Sequence, residues 1–320
     1  MDATLPHLTP IADADLAALR TLAHPDSPVS VADLTRLSAT RLPGEHHTQQ
    51  AAFERGEARG ALTTGVPRMD AHDGWLDLTL TLHPQEAGGP LADALLTAGL
   101  SVLSEAGATT AVTRVREDWW EHDYLRARGW QEADRMWLSS LDLRTLDFTA
   151  FAADEARARA SGVRIVPLSD LGGWDATARE HYDLIHALLT DVPSARPVQV
   201  WPFEVWLERM HTLLPDTSGI MIAVAPDGTW VGTSQLSQPI AGRPGFVHNG
   251  LTGVRAGWRG HGLGLALKLA AARAALGRGF THSRTGNHVT NRPMLAINER
   301  MGFEREAATV TLTREVESRE

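Results

Sequence analysis

The sequence predicts an α/β (α+β) protein made of two similar halves, each of which mixes strands and helices. Its 320 residues are enough for two domains of ordinary size, and 43% of them are hydrophobic, which is ample material for two cores. An internal repeat is the second observation behind this prediction. The third is the alternation of strand-like and helix-like patterns within each copy.

The repeat appears when residues 82–96 are placed over residues 254–268. Each segment follows an alternating stretch, 74–82 or 246–254, which predicts a strand. Each is continued by an apolar helical pattern that ends close to a glycine. We therefore expect the same strand–loop–helix unit in both halves of the chain.

The similarity continues beyond these helices, because each copy goes on with a short strand, a brief helix and a glycine followed by an aromatic residue. The other predicted elements of the second copy are two amphipathic helices, a hairpin and a closing strand: 181–193, 202–214, 219–239 with an Asp227-Gly228 turn, and 308–316. An alanine-rich, charged and partly helical stretch joins the copies. We expect an N-terminal domain over residues 1–145, a linker over 146–162 and a C-terminal domain over 163–320.

Charge and composition exclude several classes of function. The formal net charge of -9 argues against nucleic acid as the main partner, because neutralising phosphates requires a basic face. The absence of cysteine excludes disulfides, thiolate metal sites and a covalent thioester on the protein, and we expect no metal. No apolar stretch approaches a membrane span, and the N-terminus lacks a signal-peptide pattern, so we expect a soluble cytoplasmic enzyme.

The glycine-rich loop at 259–264 carries the strongest chemical signal. Arg259 and three alternating glycines stand directly before an apolar helix, whose N-terminal N–H groups and dipole favour an anion. Glycine keeps those N–H groups accessible, and a guanidinium suits phosphate oxygens. A glycine-rich turn with a surface arginine is the alternative. A Walker loop is excluded because the only lysine, Lys268, follows leucine, and a dinucleotide fingerprint fails because its third glycine would fall on leucine at 265.

Two motifs together resemble the GNAT N-acetyltransferase superfamily. The first is Val254-x-x-x-x-Arg-Gly-His-Gly-Leu-Gly, and the second is TGNHVTNRPMLAINERMGF at 285–303. Their combination is similar to tandem-domain acetyltransferases that include the mycothiol synthase-like proteins. The strong match covers 248–303, and a looser one extends over 163–316. The resemblance implies two tandem GNAT-like domains, each with a mixed, mostly antiparallel central sheet flanked by helices, of which the first is degenerate.

The resemblance also implies acetyl-CoA as co-substrate, with its pyrophosphate on the glycine loop. The residues implied in cofactor binding are Thr252, Val254, Arg259, Gly260, His261, Gly262, Leu263, Gly264 and Asn291. Asn291 precedes a proline and a helix, so an N-cap is an alternative or additional role. Because the chain has no cysteine, acetyl transfer would be direct, with backbone N–H groups near 251–254 stabilising the oxyanion.

Two residues are candidates for catalysis. Asn298 stands where many superfamily members have a tyrosine that acts as general acid for the leaving thiolate. Asparagine cannot ionise, so it could only donate a hydrogen bond to the sulfur, and an ordinary half-exposed helix position is the alternative. His248 opens the strand that leads to the loop. It is the candidate base, directly or through water, against a structural role at a strand edge.

Aromatic residues mark the candidate acceptor site. Trp201, Phe203 and Trp206 lie in the region that walls the acceptor in similar enzymes, with core packing as the alternative. In the first copy, Trp119 and Trp120 predict packing.

These residues lead to the hypothesis of an acetyl-CoA-dependent N-acetyltransferase that acts on a small-molecule amine in the C-terminal copy. A non-catalytic acyl-CoA-binding module, and a transferase with another acyl donor or a protein acceptor, are the alternatives. We expect no nucleic-acid or membrane partner, and either a monomer (a pseudo-dimer of two domains) or a homodimer. Ala87 and Pro90 replace Arg259 and Gly262 in the first copy, which predicts one acetyl-CoA per chain.

Overall fold

A computed structural model describes residues 7–39, 41–42, 44–67, 72–190, 201–240 and 242–317. The chain divides into two compact units: the first is Met1–Trp137 with Ala307–Glu320, and the second is Leu138–Glu306. The predicted domain boundaries at 145 and 163 stay a prediction. The two units differ from the predicted domains because residues Ala307–Glu320 belong to the first unit.

The described strands alternate with helices along both units. In chain order they are β1 (Thr9–Pro10), β2 (His47–Glu54), β3 (Glu57–Gly65), β4 (Trp75–Leu82), β5 (Thr110–Arg116), β6 (Gln131–Asp142), β7 (Arg164–Pro167), β8 (Ile220–Val224), β9 (Trp230–Pro239), β10 (Phe246–Val254), β11 (His282–His288), β12 (Glu304–Arg305) and β13 (Thr309–Glu315).

The described helices are α1 (Asp13–Ala23), α2 (Val31–Ala39), α3 (Pro90–Glu105), α4 (Trp120–Arg126), α5 (Ala152–Ala160), α6 (Gly173–Thr190), α7 (Phe203–Leu213), α8 (Leu263–Gly277) and α9 (Arg292–Met301). The strands and helices predicted for the repeat form with ends within two residues of the prediction, except that the helix predicted over 181–193 begins earlier, at Gly173. The last three residues of the predicted helix 181–193 lie outside the described residues.

The sheet of the first unit runs in the order β1-β2-β3-β4-β5-β13-β6, with β6 counted as far as Trp137. Its neighbours are antiparallel except β4 and β5, which are parallel over 75–77 and 110–112. Leu78 of β4, Leu95 of α3 and Leu312 of β13 are fully buried in its core. The chain's last strand thus completes the first unit rather than closing the second copy.

Within the second unit the strand order is β6 from Leu138 onward, β11, β10, β9, β8 and β7. The pairs β7–β8, β8–β9 and β9–β10 are antiparallel, and β8–β9 is the predicted hairpin. By contrast, β10 and β11 are parallel. Helix α8 is apolar around most of its surface because it packs on the sheet with one side and near α5 with another. The N-terminus of this buried helix lies directly after the glycine loop, so the fold positions it at the candidate site.

Candidate functional site

Two parallel strands that separate form the centre of the candidate site in the second unit. β10 and β11 pair only over 246–248 and 282–284, and the last pair joins His248 to Arg284. β10 continues to Val254 beyond that point, and in the described part of the chain β11 supplies it with no further pair. A wedge-shaped gap lined by unpaired peptide groups of β10 therefore opens just after His248.

A β-bulge in β10 lies beside this gap. Asn249 pairs with Leu236 and Thr252 with Ser234, so three steps along β10 correspond to two along β9. The Asn249 amide nitrogen donates to Ser234 Oγ and to the Gln235 carbonyl oxygen, both at 3.1 Å. The hydroxyls of Thr252 and Ser234 are 2.9 Å apart. This buried polar cluster fixes the bulge, and it engages the Thr252 side chain that the sequence placed in cofactor binding.

The glycine loop presents backbone donors at the end of β10. Gly260 and Gly262 have φ values of +86° and +79°, a region that favours glycine. Helix α8 makes its first hydrogen bond from Ala266 N–H to Gly262 O, at 3.1 Å. Within the described residues no acceptor binds the N–H groups of 260–265, and the first turn of α8 contains no acidic side chain. The loop therefore suits an anion, because six backbone N–H groups without acceptors adjoin the positive end of a helix.

The side chains of the loop have separate structural roles. The exposed Arg259 donates from Nε to Val254 O at 3.1 Å, which ties the loop to the end of the strand. His261 Nδ1 lies 3.2 Å from the Arg259 carbonyl oxygen and can donate to it. Leu263 is buried and anchors the start of α8. A Cβ at Gly264 would lie 3.3 Å from Ile297 Cδ1, so glycine allows α8 and α9 to approach closely.

A second cation beside the loop was not found from the sequence. A Cβ added to Gly262 would lie 3.7 Å from Arg157 Nε, on helix α5 of the connector. Asp154, which is 6% exposed, pairs with both Arg157 and Arg300. The hydrogen bond from Arg300 makes the largest contribution to lowering the pKa of the Asp154 carboxyl below its usual range, and Arg157 adds to it. The carboxylate therefore stays ionised and holds both arginines in position. Nothing in the sequence indicated this role for Arg157 beyond the charged character of the linker at 146–162.

Asn298 is buried next to the end of β11. Its side chain is 2% exposed, so the half-exposed alternative is wrong. Its amide nitrogen donates to Asn287 Oδ1 at 2.6 Å, while its own Oδ1 has no partner in the described residues. Asn287 belongs to the TGN segment of the second motif, although its contact with Asn298 was not predicted. Asn291 caps helix α9, accepting from Met294 N–H at 3.4 Å, which confirms the N-cap role and leaves its cofactor contact a prediction.

His248 lies where the parallel strands part. Burial, aided by the positive charges of Arg284 and Lys268, lowers the pKa of its imidazole. Its Nδ1 is buried without a partner among the described residues. The ring is therefore neutral at neutral pH, which is the state that a general base requires.

Lys268 is a buried cation that the sequence prediction did not use. It lies on α8, is 2% exposed, and has no hydrogen-bond partner in the described part of the chain. Its ammonium nitrogen is 4.9 Å from the centre of the Phe303 ring. Burial lowers its pKa to about 7. Its position as the chain's only lysine, inside an apolar helix, was the available signal.

The predicted acceptor wall divides into a core residue and two half-buried ones. Trp206 is 3% exposed and packs with Trp174 and His181, so core packing holds for this residue. Trp201 and Phe203 are half-buried and stay candidates for acceptor contact. Burial lowers the pKa of His181 to about 3, so it remains neutral and cannot act as the site's titrating base. The connection at 191–200 lies outside the described residues.

Two general properties of the described residues bear on the site. No group of three or more His, Cys, Asp or Glu side chains among them is arranged to hold a metal ion. None of their helices is long and apolar enough to cross a membrane.

Comparison with solved structures shows similarity over nearly the whole chain. A tandem GNAT protein from the clavulanic acid biosynthesis pathway aligns with a TM-score of 0.74 and 20% identity, over 98% of this chain and 99% of that one. A GCN5-related N-acetyltransferase from Sphaerobacter thermophilus aligns with a TM-score of 0.72 and 19% identity, over 98% and 97%. Similarity at such identities shows a shared fold.

Among curated proteins, an aminoglycoside N(6')-acetyltransferase type 1 from Klebsiella aerogenes is 29% identical over 138 residues. That match covers 35% of this chain and 89% of the relative. No model of a protein family matches the chain.

Proposed function

From the tandem GNAT fold that this chain shares with known acetyltransferases, we propose that it is an acetyl-CoA-dependent N-acetyltransferase for a small-molecule amine. The second unit is the catalytic one in this proposal. Its glycine loop is the observation that carries it, because six N–H groups lie free at 260–265 within the described residues, with Arg259 and Arg157 beside them. Such a loop fits a pyrophosphate.

The corresponding loop of the first unit supports this assignment by contrast. Helix α3 begins with Pro90, which has no N–H group to offer, and its first turn contains Asp93. Asp93 accepts hydrogen bonds from Tyr124 and Arg128, which lower its pKa and keep it ionised. A fixed negative charge at this helix end opposes a phosphate. Ala87 also stands where the second copy has Arg259.

Direct transfer needs three contributions from the chain. Bound acetyl-CoA would supply the acetyl thioester; the amine nitrogen forms the new bond to its carbonyl carbon while the carbon–sulfur bond breaks. His248 takes the proton of the amine, directly or through water. The unpaired N–H groups of β10 beyond the bulge stabilise the negative charge that develops on the carbonyl oxygen.

Asn298 acts on the leaving sulfur in this scheme. An asparagine amide has two N–H groups. One of them donates to Asn287, which fixes the orientation of the amide and leaves the second N–H for the thiolate. The side chain stabilises the leaving group by a hydrogen bond and transfers no proton to it.

The test is acetyl-CoA turnover over a panel of amines, with release of free CoA as the readout. The chain contains no cysteine, so a thiol-reactive chromophore reports only released CoA. The panel includes aminoglycosides because a curated relative acetylates that class, together with simple amines and a lysine-containing peptide. Amine-dependent CoA release that Arg259→Ala reduces supports the proposal. The absence of release with every amine, despite tight acetyl-CoA binding, contradicts it.

A non-catalytic acyl-CoA-binding module is the second candidate, because Asn298 cannot ionise. It predicts stoichiometric binding without turnover. Acetylation of the peptide alone would favour a protein-directed transferase, and faster release from another acyl-CoA would identify a different donor.

A further inference from the structure

The first unit contains a cavity of about 200 Å³ where its own parallel strands separate. β4 and β5 pair only over 75–77 and 110–112, and the next residues, 78–81 and 113–115, line the cavity. Helices α1 and α4, the segment that follows α1 and the residue before α4 contribute the other walls. The cavity is smaller than the roughly 300–1,000 Å³ pockets that hold drug-sized ligands, so it has room only for a smaller molecule.

An uncompensated cation projects into this cavity from α1. Among the described residues, no hydrogen bond or ion pair engages the Arg20 guanidinium, and Asp13 is the acidic residue whose charge reaches it. Asp13 itself accepts a hydrogen bond from Gln49. The neighbouring Arg114 differs, because it forms an ion pair with Asp77 at 3.2 Å. Arg20 is thus a half-buried positive charge that lines a cavity, and an anion would pair with it.

A buried glutamate on α4 lines the same cavity. Glu121 is 3% exposed, and its Oε1 lies 2.8 Å from His24 Nε2. Its Oε2 is buried without a partner in the described residues. The His24 ring stacks on Trp119 with 3.6 Å between ring centres, which holds the imidazole and hence the Glu121 carboxylate in place. A free carboxylate oxygen requires a hydrogen-bond donor from whatever occupies the cavity.

The rest of the lining is largely apolar. Leu78, Leu80 and Leu125 supply apolar lining, beside the hydroxyl-bearing Thr79, Thr81 and Thr113. The first unit's glycine loop lacks a cation and carries Asp93, so this cavity has no pyrophosphate cradle beside it. Its occupant would therefore be held without being acetylated there.

We propose that the first unit binds a small amino acid or hydroxy acid with an apolar body in this cavity. Its carboxylate pairs with Arg20, its ammonium or hydroxyl group donates to the free oxygen of Glu121, and its apolar part packs on the leucines. This site is independent of acetyl transfer in the second unit, and it gives the first unit a binding function of its own.

Calorimetry on the full chain tests the proposal with four probes of one carbon skeleton: L-leucine, its 2-hydroxy acid, 4-methylpentanoate and 3-methylbutylamine. We expect L-leucine or the hydroxy acid to bind most tightly, 4-methylpentanoate more weakly and the amine not at all. The better of the first two probes identifies the donor group. No binding of any carboxylate probe up to about 10 mM would overturn the proposal, as would an amine that binds as tightly as L-leucine.

Two variants place the binding in the cavity. Arg20→Met should weaken all carboxylate probes at least about 10-fold, because a charge-assisted bond is lost. Glu121→Gln keeps an oxygen for His24 but removes the free carboxylate oxygen, so the preference for L-leucine or its hydroxy acid over 4-methylpentanoate should disappear. Arg36→Met, at a half-buried arginine that pairs with Asp33 on α2, is the matched control.

Unchanged affinities in a folded Arg20→Met protein would overturn the assignment. If that variant does not fold, the probe ranking on the unaltered chain and its loss in Glu121→Gln decide the question. A ranking that persists in Glu121→Gln contradicts the proposal.

Discussion

Asn298 donates a 2.6 Å hydrogen bond to Asn287, so the last turn of α9 is fixed against the end of the strand that borders the gap. Asn298→Ala should lower kcat about 10- to 100-fold, the loss of one hydrogen bond to a developing charge, with little change in acetyl-CoA affinity. Asn287→Ala should lower kcat by a smaller factor because the amide remains but loses its orientation. An unchanged kcat in Asn298→Ala would show that the Asn298 side chain does not contribute to catalysis.

Arg259→Ala should weaken acetyl-CoA binding by about 1.5–3 kcal/mol, or 10- to 100-fold. Arg157→Ala should weaken it less, because Arg157 is exposed and already paired with Asp154. Calorimetry at two salt concentrations measures both effects, which should shrink at the higher one. Arg164→Ala, at an exposed residue on edge strand β7, is the control and should bind normally. An unaltered dissociation constant in folded Arg259→Ala would remove the loop assignment.

His248 should produce an acidic limb in the pH profile of kcat/KM. Its pKa is lowered by burial, so the imidazole becomes protonated, and inactive as a base, only below about pH 6.5, the usual value. His248→Gln should remove this limb and lower kcat by about 100-fold or more. His186→Gln, at an exposed histidine on α6, is the control. An identical acidic limb in His248→Gln would assign the base elsewhere.

Titration should give one acetyl-CoA per chain. Gly262→Pro should abolish binding, because proline cannot adopt φ of +79°. Pro90→Gly should leave the stoichiometry at one, since Asp93 still occupies the first turn of α3. A stoichiometry near two in the unaltered chain would contradict the proposal that only the second copy binds the cofactor.

Lys268→Met should raise the free energy of unfolding and change its pH dependence. The pKa of Lys268 is about 7 in the folded chain against 10.5 ordinarily. Between these values the unfolded chain holds a proton that the folded chain lacks, so stability rises from about pH 7 to about pH 10.5. The slope is at most about 1.4 kcal/mol per pH unit. Below pH 7 both states are protonated, and this contribution stays constant at its most unfavourable value.

Denaturant titrations of both proteins at several pH values between 7 and 9 measure this effect. The difference in stability between Lys268→Met and the unaltered chain should be largest near pH 7 and should shrink as the pH rises. A difference that does not vary with pH would show that Lys268 titrates normally.

The sequence predicted the tandem fold because each half repeats the same hydrophobic periods and turn residues, and this prediction is confirmed. The loop at 259–264 could be predicted because an arginine, alternating glycines and the following helix are contiguous in the chain. The approach of Arg157 to the loop and the contact of Lys268 with Phe303 could not be predicted, because they join residues that are far apart in the sequence. Asn287 and Asn298 are only 11 residues apart, but they lie in different elements, β11 and α9. Strand β13 formed where expected, but alternation alone does not specify which sheet receives a strand.

The cavity of the first unit could not be predicted from the sequence, because residues that are far apart in the chain line it. Trp119 was expected to pack, and it does stack on His24, but its partners come from helices that are distant in sequence. An arginine on α1 and a glutamate on α4 each resemble surface residues in the sequence, whereas the fold half-buries the first and fully buries the second.

The placement of β13 between β5 and β6 has a consequence for biosynthesis. Residues 309–315 leave the ribosome after the whole of the second unit, yet they lie between strands of the first unit that were made much earlier. Until then β5 and β6 present open hydrogen-bonding edges to the cell, which are sites where chains associate wrongly. The first unit therefore cannot complete its sheet until the second unit has been translated.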